Sequence, residues 1–263
     1  MITDVVEITR AAGRLVERTA ASGYTVATKA RGEPVTDADR AADALLREQL
    51  GRLAPDAGWL SEETADTTER LGKERVWIVD PLDGTREFAA GLPEYSVAVA
   101  LVERGAPVLA VVHHPATGGG ATYWAEAGRG AFRDGRRLTT REGSLILASR
   151  SEHAAGEFAP FVDGWELKPV GSIQLKLALV AAGDAAATLS RGPKHEWDVC
   201  AGALIVQEAG GRATDVFGEP LTFNQPRPKT RGVLAGAAGA YGRVLDRLRI
   251  VGASDRMAEL KDR

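Results

Sequence analysis

Cysteine is nearly missing from this sequence: Cys200 is the only one in 263 residues. One thiol cannot close an internal disulfide or supply a multi-cysteine zinc site, and its apolar helical surroundings suit a small core residue. The four histidines, His113, His114, His153 and His195, show no zinc-like spacing within an acidic motif. An excess of positive charge is missing too. The formal net charge is −3, which leaves no global basic field to attract nucleic acid or an anionic membrane. No uninterrupted apolar run approaches the ~18 residues that suggest a membrane span. The opening MITDVVEITR lacks the basic-then-apolar order of an export signal. Aromatics are scarce, at 6%, and the five tryptophans mostly adjoin apolar residues, as core residues do rather than base-stacking platforms. These absences lead to the expectation of a soluble cytoplasmic protein without nucleic-acid or membrane partners.

What is present is enough for a sizeable core. The chain is 44% hydrophobic and 26% charged, and its length suits one large domain or two smaller ones. Apolar residues at Val5, Ile8, Ala12, Leu15 and Val16 have helical spacing, opened by Asp4 with Glu7 three residues later and closed by Gly23. A second helix is expected over Thr36 to Leu53, with Ala41, Ala42, Leu45, Leu46, Gln49 and Leu53 along one face. Thr64 to Glu74 reads as polar surface. Tyr95 to Val102 and Val108 to His113 read as a hairpin. Beyond Thr139 to Gly143 strands and helices alternate, which argues for an α/β layer. The division expected is residues 1–140 as an α+β half and 141–263 as an α/β half.

The most informative stretch is Arg75 to Phe88, RVWIVDPLDGTREF. Its apolar run, Val76 to Val79, suits a strand buried on both faces. That strand is expected to end at Asp80, before Pro81 and the Asp83-Gly84 turn. Two carboxylates thus emerge where a buried strand stops, followed by the backbone N–H groups of Gly84 and Thr85 at a helix start. Carboxylates are hard ligands suited to Mg²⁺, and N–H groups at a helix start suit phosphate oxygens. Three further acidic stations stand elsewhere: Asp39 within PVTDAD, Glu62 within SEE, and Asp198 after Trp197. Each also has a local structural use. Acids in a first helical turn complement the helix dipole, adjacent glutamates make a polar loop, and Asp198 is placed to cap a helix.

Together PVTDADR, LSEE, VDPLDGT and EWDVCAG, which span about Val35 to Gly211, resemble the motifs of the Mg²⁺-dependent, lithium-sensitive inositol monophosphatase superfamily, in the same order. Within it, the R-E-F that ends the central motif, ASRS (Ala148 to Ser151), VGSxxxK (Val170 to Lys176) and EYSVAVALVERGAPVLAVVHHP are most similar to the CysQ branch, the 3′-phosphoadenosine 5′-phosphate (PAP) phosphatases of sulfur metabolism. The resemblance implies a layered αβαβα sandwich in which the two halves meet at the site. It implies two or three Mg²⁺ ions, with Glu62, Asp80, Asp83, the carbonyl of Leu82 and Asp198 as ligands. Glu62 and Thr85 would orient the attacking water, with Asp39 behind Thr85. Asp83, Gly84, Thr85, Ser172, Lys176, Arg191 and Asp198 would bind substrate, an adenine nucleotide losing its 3′-phosphate to give AMP. A homodimer is also implied. Two spacings depart from the pattern: Arg191 comes one residue late after Gly183, and Lys176 one further from Ser172 than in some relatives. Both bear on nucleotide specificity. The alternatives are an inositol monophosphatase, a sugar phosphatase acting on fructose 1,6-bisphosphate, and, in another class, a non-catalytic nucleotide or metal sensor. The complete acid set with Thr85 argues against the sensor.

Overall fold

The computed structural model describes residues 1–28, 34–116 and 119–261. Helix α1 (Ile2–Ser22) buries Val5, Val6, Ala12 and Val16 on one stripe and stops at Gly23, whose φ is 85°. It starts at Ile2 with no side-chain cap, so the expected Asp4 opening is not used. Strands β1 (Val26–Thr28) and β2 (Pro34–Thr36) form a small antiparallel pair. Thr36 then caps α2 (Asp37–Leu53), its Oγ1 accepting from Ala38 N at 3.2 Å. Of the expected face, Ala42 and Leu46 are buried and Leu45 and Leu53 pack partly buried against the core; the buried face also takes in Ala38, Leu50, Asp39 and Asp43, which the sequence pattern leaves out. Two carboxylates on the inner face explain the difference: acids count as outward-facing in a hydrophobicity pattern, and here they bind protein partners inside.

A seven-stranded sheet follows, with strands in chain order: β3 (Gly58–Ser61), β4 (Arg75–Asp83), β5 (Ser96–Glu103), β6 (Ala106–His114), β7 (Ala121–Glu126), β8 (Gly130–Arg133) and β9 (Arg136–Arg137). The β3–β4 pair is parallel and the others antiparallel. Short α3 (Thr85–Ala89) lies between β4 and β5. Side chains alternate across the sheet. Trp77, Val79, Val97, Val99, Leu109 and Val111 pack under α1 and α2. Val76, Ile78, Ala98, Ala100, Ala110 and Val112 face the other way, onto a second helical layer.

The rest of the chain alternates strand and helix: β10 (Leu145–Ser149), α4 (Arg150–Ala154), β11 (Glu166–Val170), α5 (Ile173–Ala181), β12 (Ala187–Ser190), β13 (Lys194–His195), α6 (Glu196–Glu208), β14 (Arg212–Thr214), β15 (Lys229–Thr230), β16 (Val233–Gly236) and α7 (Ala238–Lys261). Five of these strands make a second sheet in the order β11-β10-β12-β16-β14. Strands β13, β14 and β15, of two or three residues each, are too short to show a hydrophobic pattern in the sequence. Helices α5 and α6 fill the space between the sheets, in one apolar cluster with Val76, Ala100, Leu147 and Val233. They approach closely at Gly202, where a Cβ would fall 2.5 Å from Leu177 Cβ. Gln174, fully buried, bridges them by donating to Trp197 O and accepting from Gly202 N. Helix α7 covers the outer face of the second sheet through Ala240, Tyr241 and Val244. The layers therefore run helix, sheet, helix, sheet, helix, which is the αβαβα sandwich expected. Among the described residues no helix is long and apolar enough to cross a membrane.

Candidate active site

The strand carrying the central motif does not stop at Asp80. It continues to Asp83, with a bulge between the two: Asp80 pairs with Ala98 and Asp83 with Ser96. β4 thus uses one residue more than β5 over this interval. Without the bulge, Asp80 and Asp83 would point to opposite faces of the sheet. The extra residue turns Asp83 back to the face of Asp80, towards α5 and α6. Pro81, which cannot donate to the ladder, lies within the bulge. Gly84 then adopts φ 98°, and a side chain there would put Cβ 2.6 Å from Glu94 O. Only glycine fits both the left-handed turn and the close approach. Helix α3 begins at Thr85, so its first N–H groups have no partner within the helix.

The other acids converge on this turn. Asp39 has the capping use its position suggests: its Oδ2 accepts from Thr36 N at 2.7 Å and from Thr36 Oγ1 at 2.5 Å. Its Oδ1 is left to accept from Thr85 Oγ1 at 2.9 Å. Asp39 is 1% exposed, so it acts on the cleft only through Thr85. Glu62 is held from below. Asp43, on the same helix, accepts from Ser61 Oγ at 2.5 Å and from Thr64 Oγ1 at 2.7 Å and so grips the turn on both sides of Glu62. Asp198 is the third residue of α6 and not its cap; the helix starts two residues earlier, and Asp198 Oδ2 accepts from His195 N at 2.7 Å. Asp83 Oδ2 accepts from Ser172 Oγ and Gln174 N, both at 2.6 Å, which fastens the first sheet to the start of α5.

Glu62, Asp80, Leu82, Asp83, Gly84, Thr85 and Asp198 line one cleft of about 330 Å³. Burial pushes the Asp80 carboxyl far above the usual carboxylate range, and the charges of Glu62, Asp83 and Asp198 push it further. Burial and then Glu62 and Asp83 do the same to Asp198. Asp83 is also raised by burial, but its bonds from Ser172 and Gln174 and the charges of Lys176 and Lys194 oppose the rise. Asp80 Oδ1 accepts from Leu82 N at 3.1 Å, whereas its buried Oδ2 has no hydrogen-bond partner. A hard divalent cation fits this chemistry: it would give the orphaned oxygen a ligand and offset the crowded negative charge. The carboxylates are more widely set than a closed cage, for among the described residues no three His, Cys, Asp or Glu side chains converge on one point.

The same cleft also carries basic side chains. Arg86, Arg150, Lys176 and Lys194 line the cleft beside Ser149 and Ser151. Lys176 is 3% exposed and donates to Val170 O and Ser172 O, both at 3.1 Å. Burial lowers its ammonium to about 8, although Asp83, Glu152 and Glu87 pull the other way. Ser172, expected to touch substrate, has its hydroxyl committed to Asp83, Ser96 and Leu175 N, in a backbone with φ 52°. Arg191 is not among the residues lining the cleft. Arg150 and Lys194 take the exposed basic positions instead. The ASRS stretch contained the first of these; nothing local marked the second, which reaches the cleft through the two-residue strand β13.

A model of the inositol monophosphatase family matches residues 1–250. The chain belongs to the inositol monophosphatase family. It is 34% identical over 238 residues to a 3′(2′),5′-bisphosphate nucleotidase CysQ of Aggregatibacter actinomycetemcomitans, an alignment covering 86% of this chain and 88% of the relative. It is 37% identical over 224 residues to a histidinol-phosphatase of Mycobacterium tuberculosis, covering 79% and 84%. An IMPase from Thermotoga maritima has the same architecture, with a TM-score of 0.82 at 27% identity over 95% of this chain and 97% of that one. The protein is thus a phosphatase of the inositol monophosphatase family. Its acid cluster and basic side chains line one cleft.

Proposed function

We propose that this inositol monophosphatase family member is a Mg²⁺-dependent phosphomonoesterase whose substrate carries a second anionic group, and that it converts PAP to AMP. The observation that carries this reading is that Arg150, Lys176, Lys194 and Arg86 line the same cleft as the acid cluster. A substrate with one phosphate needs the acids and the turn after Asp83; a second phosphate gives the basic side chains of the cleft something to bind through charge-assisted hydrogen bonds. Glu62, Asp80, Asp83, Asp198 and the carbonyl of Leu82 would hold Mg²⁺, which supplies charge neutralisation at the reacting phosphate.

The protein's own groups do the rest. The N–H groups at the start of α3 receive phosphate oxygens. Thr85 Oγ1 donates to Asp39 Oδ1 and lies 3.0 Å from Leu82 O. This leaves its lone pairs to accept from a water that Glu62 holds on its other side. That water gives a proton to Glu62 and attacks phosphorus in line with the ester oxygen, the P–O bond to the ribose breaks, and the leaving oxygen takes a proton from solvent. The products are AMP and inorganic phosphate. Phosphate release with Mg²⁺, measured on PAP, inositol 1-phosphate, histidinol phosphate and fructose 1,6-bisphosphate, tests the assignment. The reading expects the highest kcat/KM on PAP. A higher value on inositol 1-phosphate or histidinol phosphate would transfer the assignment to single-phosphate substrates, and a higher value on the sugar bisphosphate would make it a sugar phosphatase.

A further inference from the structure

The segment after Glu62 reads as polar surface in the sequence, yet it contains one of the most thoroughly engaged side chains in the molecule. Arg70, in a 3-10 turn over Thr68–Gly72, is 2% exposed. Its Nε and Nη2 donate to the two oxygens of Asp66 at 2.6 and 2.9 Å, a bidentate fork. Its Nη1 donates to Asn224 Oδ1 at 2.6 Å and Nη2 to Gln225 O at 2.9 Å, across more than 150 positions of sequence. Asn224 Nδ2 returns a bond to Arg70 O at 3.3 Å. The backbone N–H groups of Asn224 and Gln225 in turn donate to the two oxygens of Glu196, at 2.7 and 2.9 Å. Glu196 is fully buried, and it opens the helix whose third residue is Asp198.

These bonds form one chain from Asp66 through Arg70, Asn224 and Gln225 to Glu196. Its ends lie four residues after Glu62 and two before Asp198. Glu62 follows a strand of the first sheet and Asp198 lies on α6, and sheet-to-helix packing by apolar side chains is less directional than a hydrogen-bond chain. A fork-and-amide chain is directional and short. On the reading that the cleft binds a divalent cation, we infer that Arg70 is a positioning residue: it sets the separation of Glu62 and Asp198 and thereby the affinity for the ion. Arg70 touches neither substrate nor the reacting atoms. Lysine cannot replace it, since a single ammonium cannot hold the Asp66 fork and the 224–225 loop together.

The test reads metal binding directly, with no substrate and no turnover. Mn²⁺, a hard spectroscopic ion, is titrated into the full-length protein and free Mn²⁺ is followed by electron paramagnetic resonance. Arg70→Lys is expected to weaken Mn²⁺ binding by about tenfold or more, the usual cost of losing a group that orients ligands. Asn224→Gly is milder: it keeps the left-handed backbone of Asn224, φ 58°, and removes the acceptor for Nη1. It is expected to weaken binding by about threefold or more, short of the full loss of an orienting group. Leu245→Ala, on the buried face of α7, is the control for destabilisation alone and is expected to bind Mn²⁺ as the wild type does. Wild-type affinity in either folded Arg70 or Asn224 variant, or equal weakening in Leu245→Ala, would overturn the inference. If Arg70→Lys does not fold, Asn224→Gly decides. Failure of the wild type itself to bind Mn²⁺ would count against the metal-dependent reading and not against the role of Arg70.

Discussion

Thr85 shows how one hydroxyl joins local structure to chemistry. It opens α3, its Oγ1 donates to a buried carboxylate that also caps α2, and it faces the cleft. Its methyl group has no part in this, so Thr85→Ser is expected to retain activity within about threefold. Thr85→Ala removes the oriented acceptor and is expected to lower kcat by about a hundredfold or more, the range for a positioned proton-handling group. Steady-state kinetics of both variants checks this, and equal losses would point to packing of the methyl as the cause. Lys194 is one of the basic side chains of the cleft. Its Nζ is 3.1 Å from Glu152 Oε1, and it is a quarter exposed. On the PAP reading it is placed to meet a second phosphate. Lys194→Ala is expected to lower kcat/KM on PAP by about tenfold, or 1.4 kcal/mol, and to change hydrolysis of inositol 1-phosphate little. Equal losses on the two substrates would remove Lys194 from specificity and place it with the reacting phosphate.

Among the elements, the contact of α1 with β6 carries a pH-dependent term. The His113 ring is wedged between Gly13 of α1 and Gly120 before β7: a Cβ on either glycine would come within 2.3 or 2.5 Å of a ring atom. Its Nδ1 meets Thr122 Oγ1 at 3.0 Å. Burial, then the charge of Arg10, lowers its imidazole from 6.5 to about 4. The neutral form is the one the fold accepts, so this stability is complete above the unfolded value of 6.5 and is lost as pH falls towards 4. The loss is about 3 kcal/mol in order of magnitude. Urea unfolding of the wild type and His113→Gln at a series of pH values measures it. The wild type is expected to lose more stability than the variant between pH 6.5 and 4, and parallel curves would exclude His113 as the source. The buried face of α2 offers a second lesson at this scale. Its hydrophobic pattern points one step round the helix because Asp39 and Asp43 face inward, and the reason they do so, bonds to Thr36, Thr85, Ser61 and Thr64, lies mostly outside the helix.

In the whole molecule, the site is a seam between the first sheet and the part of the chain that follows it. The first contributes Glu62, Asp80, Asp83 and Thr85; the second half contributes Asp198, Lys176, Arg150 and Lys194. Asp83 to Ser172 and Gln174 is one cross-tie. Another is Glu94, which takes a fork from Arg150 and a bond from Gly171 N at 2.6 Å. The acid stations were legible because each is a short motif beside a regular element. The bulge that turns Asp83 towards Asp80 was not, since it is defined by the register against β5. Nor was Arg70, whose partners Asn224 and Gln225 lie more than 150 positions away, or Lys194, delivered by a strand of two residues. Sequence periodicity reports the layers; it does not report pairing across them.

The central claim is that these acids bind a divalent cation for phosphoester hydrolysis, and Asp83→Asn tests it most directly. The amide oxygen of asparagine would satisfy Ser172 Oγ and Gln174 N, which preserves the tie to α5 and turns the amide nitrogen towards the other acids. The decisive measurement is phosphate release from PAP by wild type and Asp83→Asn as Mg²⁺ is titrated to saturation, with thermal unfolding recorded in parallel. The account predicts unfolding close to wild type and turnover lower by about a hundredfold or more at saturating Mg²⁺. Near-wild-type turnover in the variant, or wild-type turnover that does not depend on Mg²⁺, would contradict it.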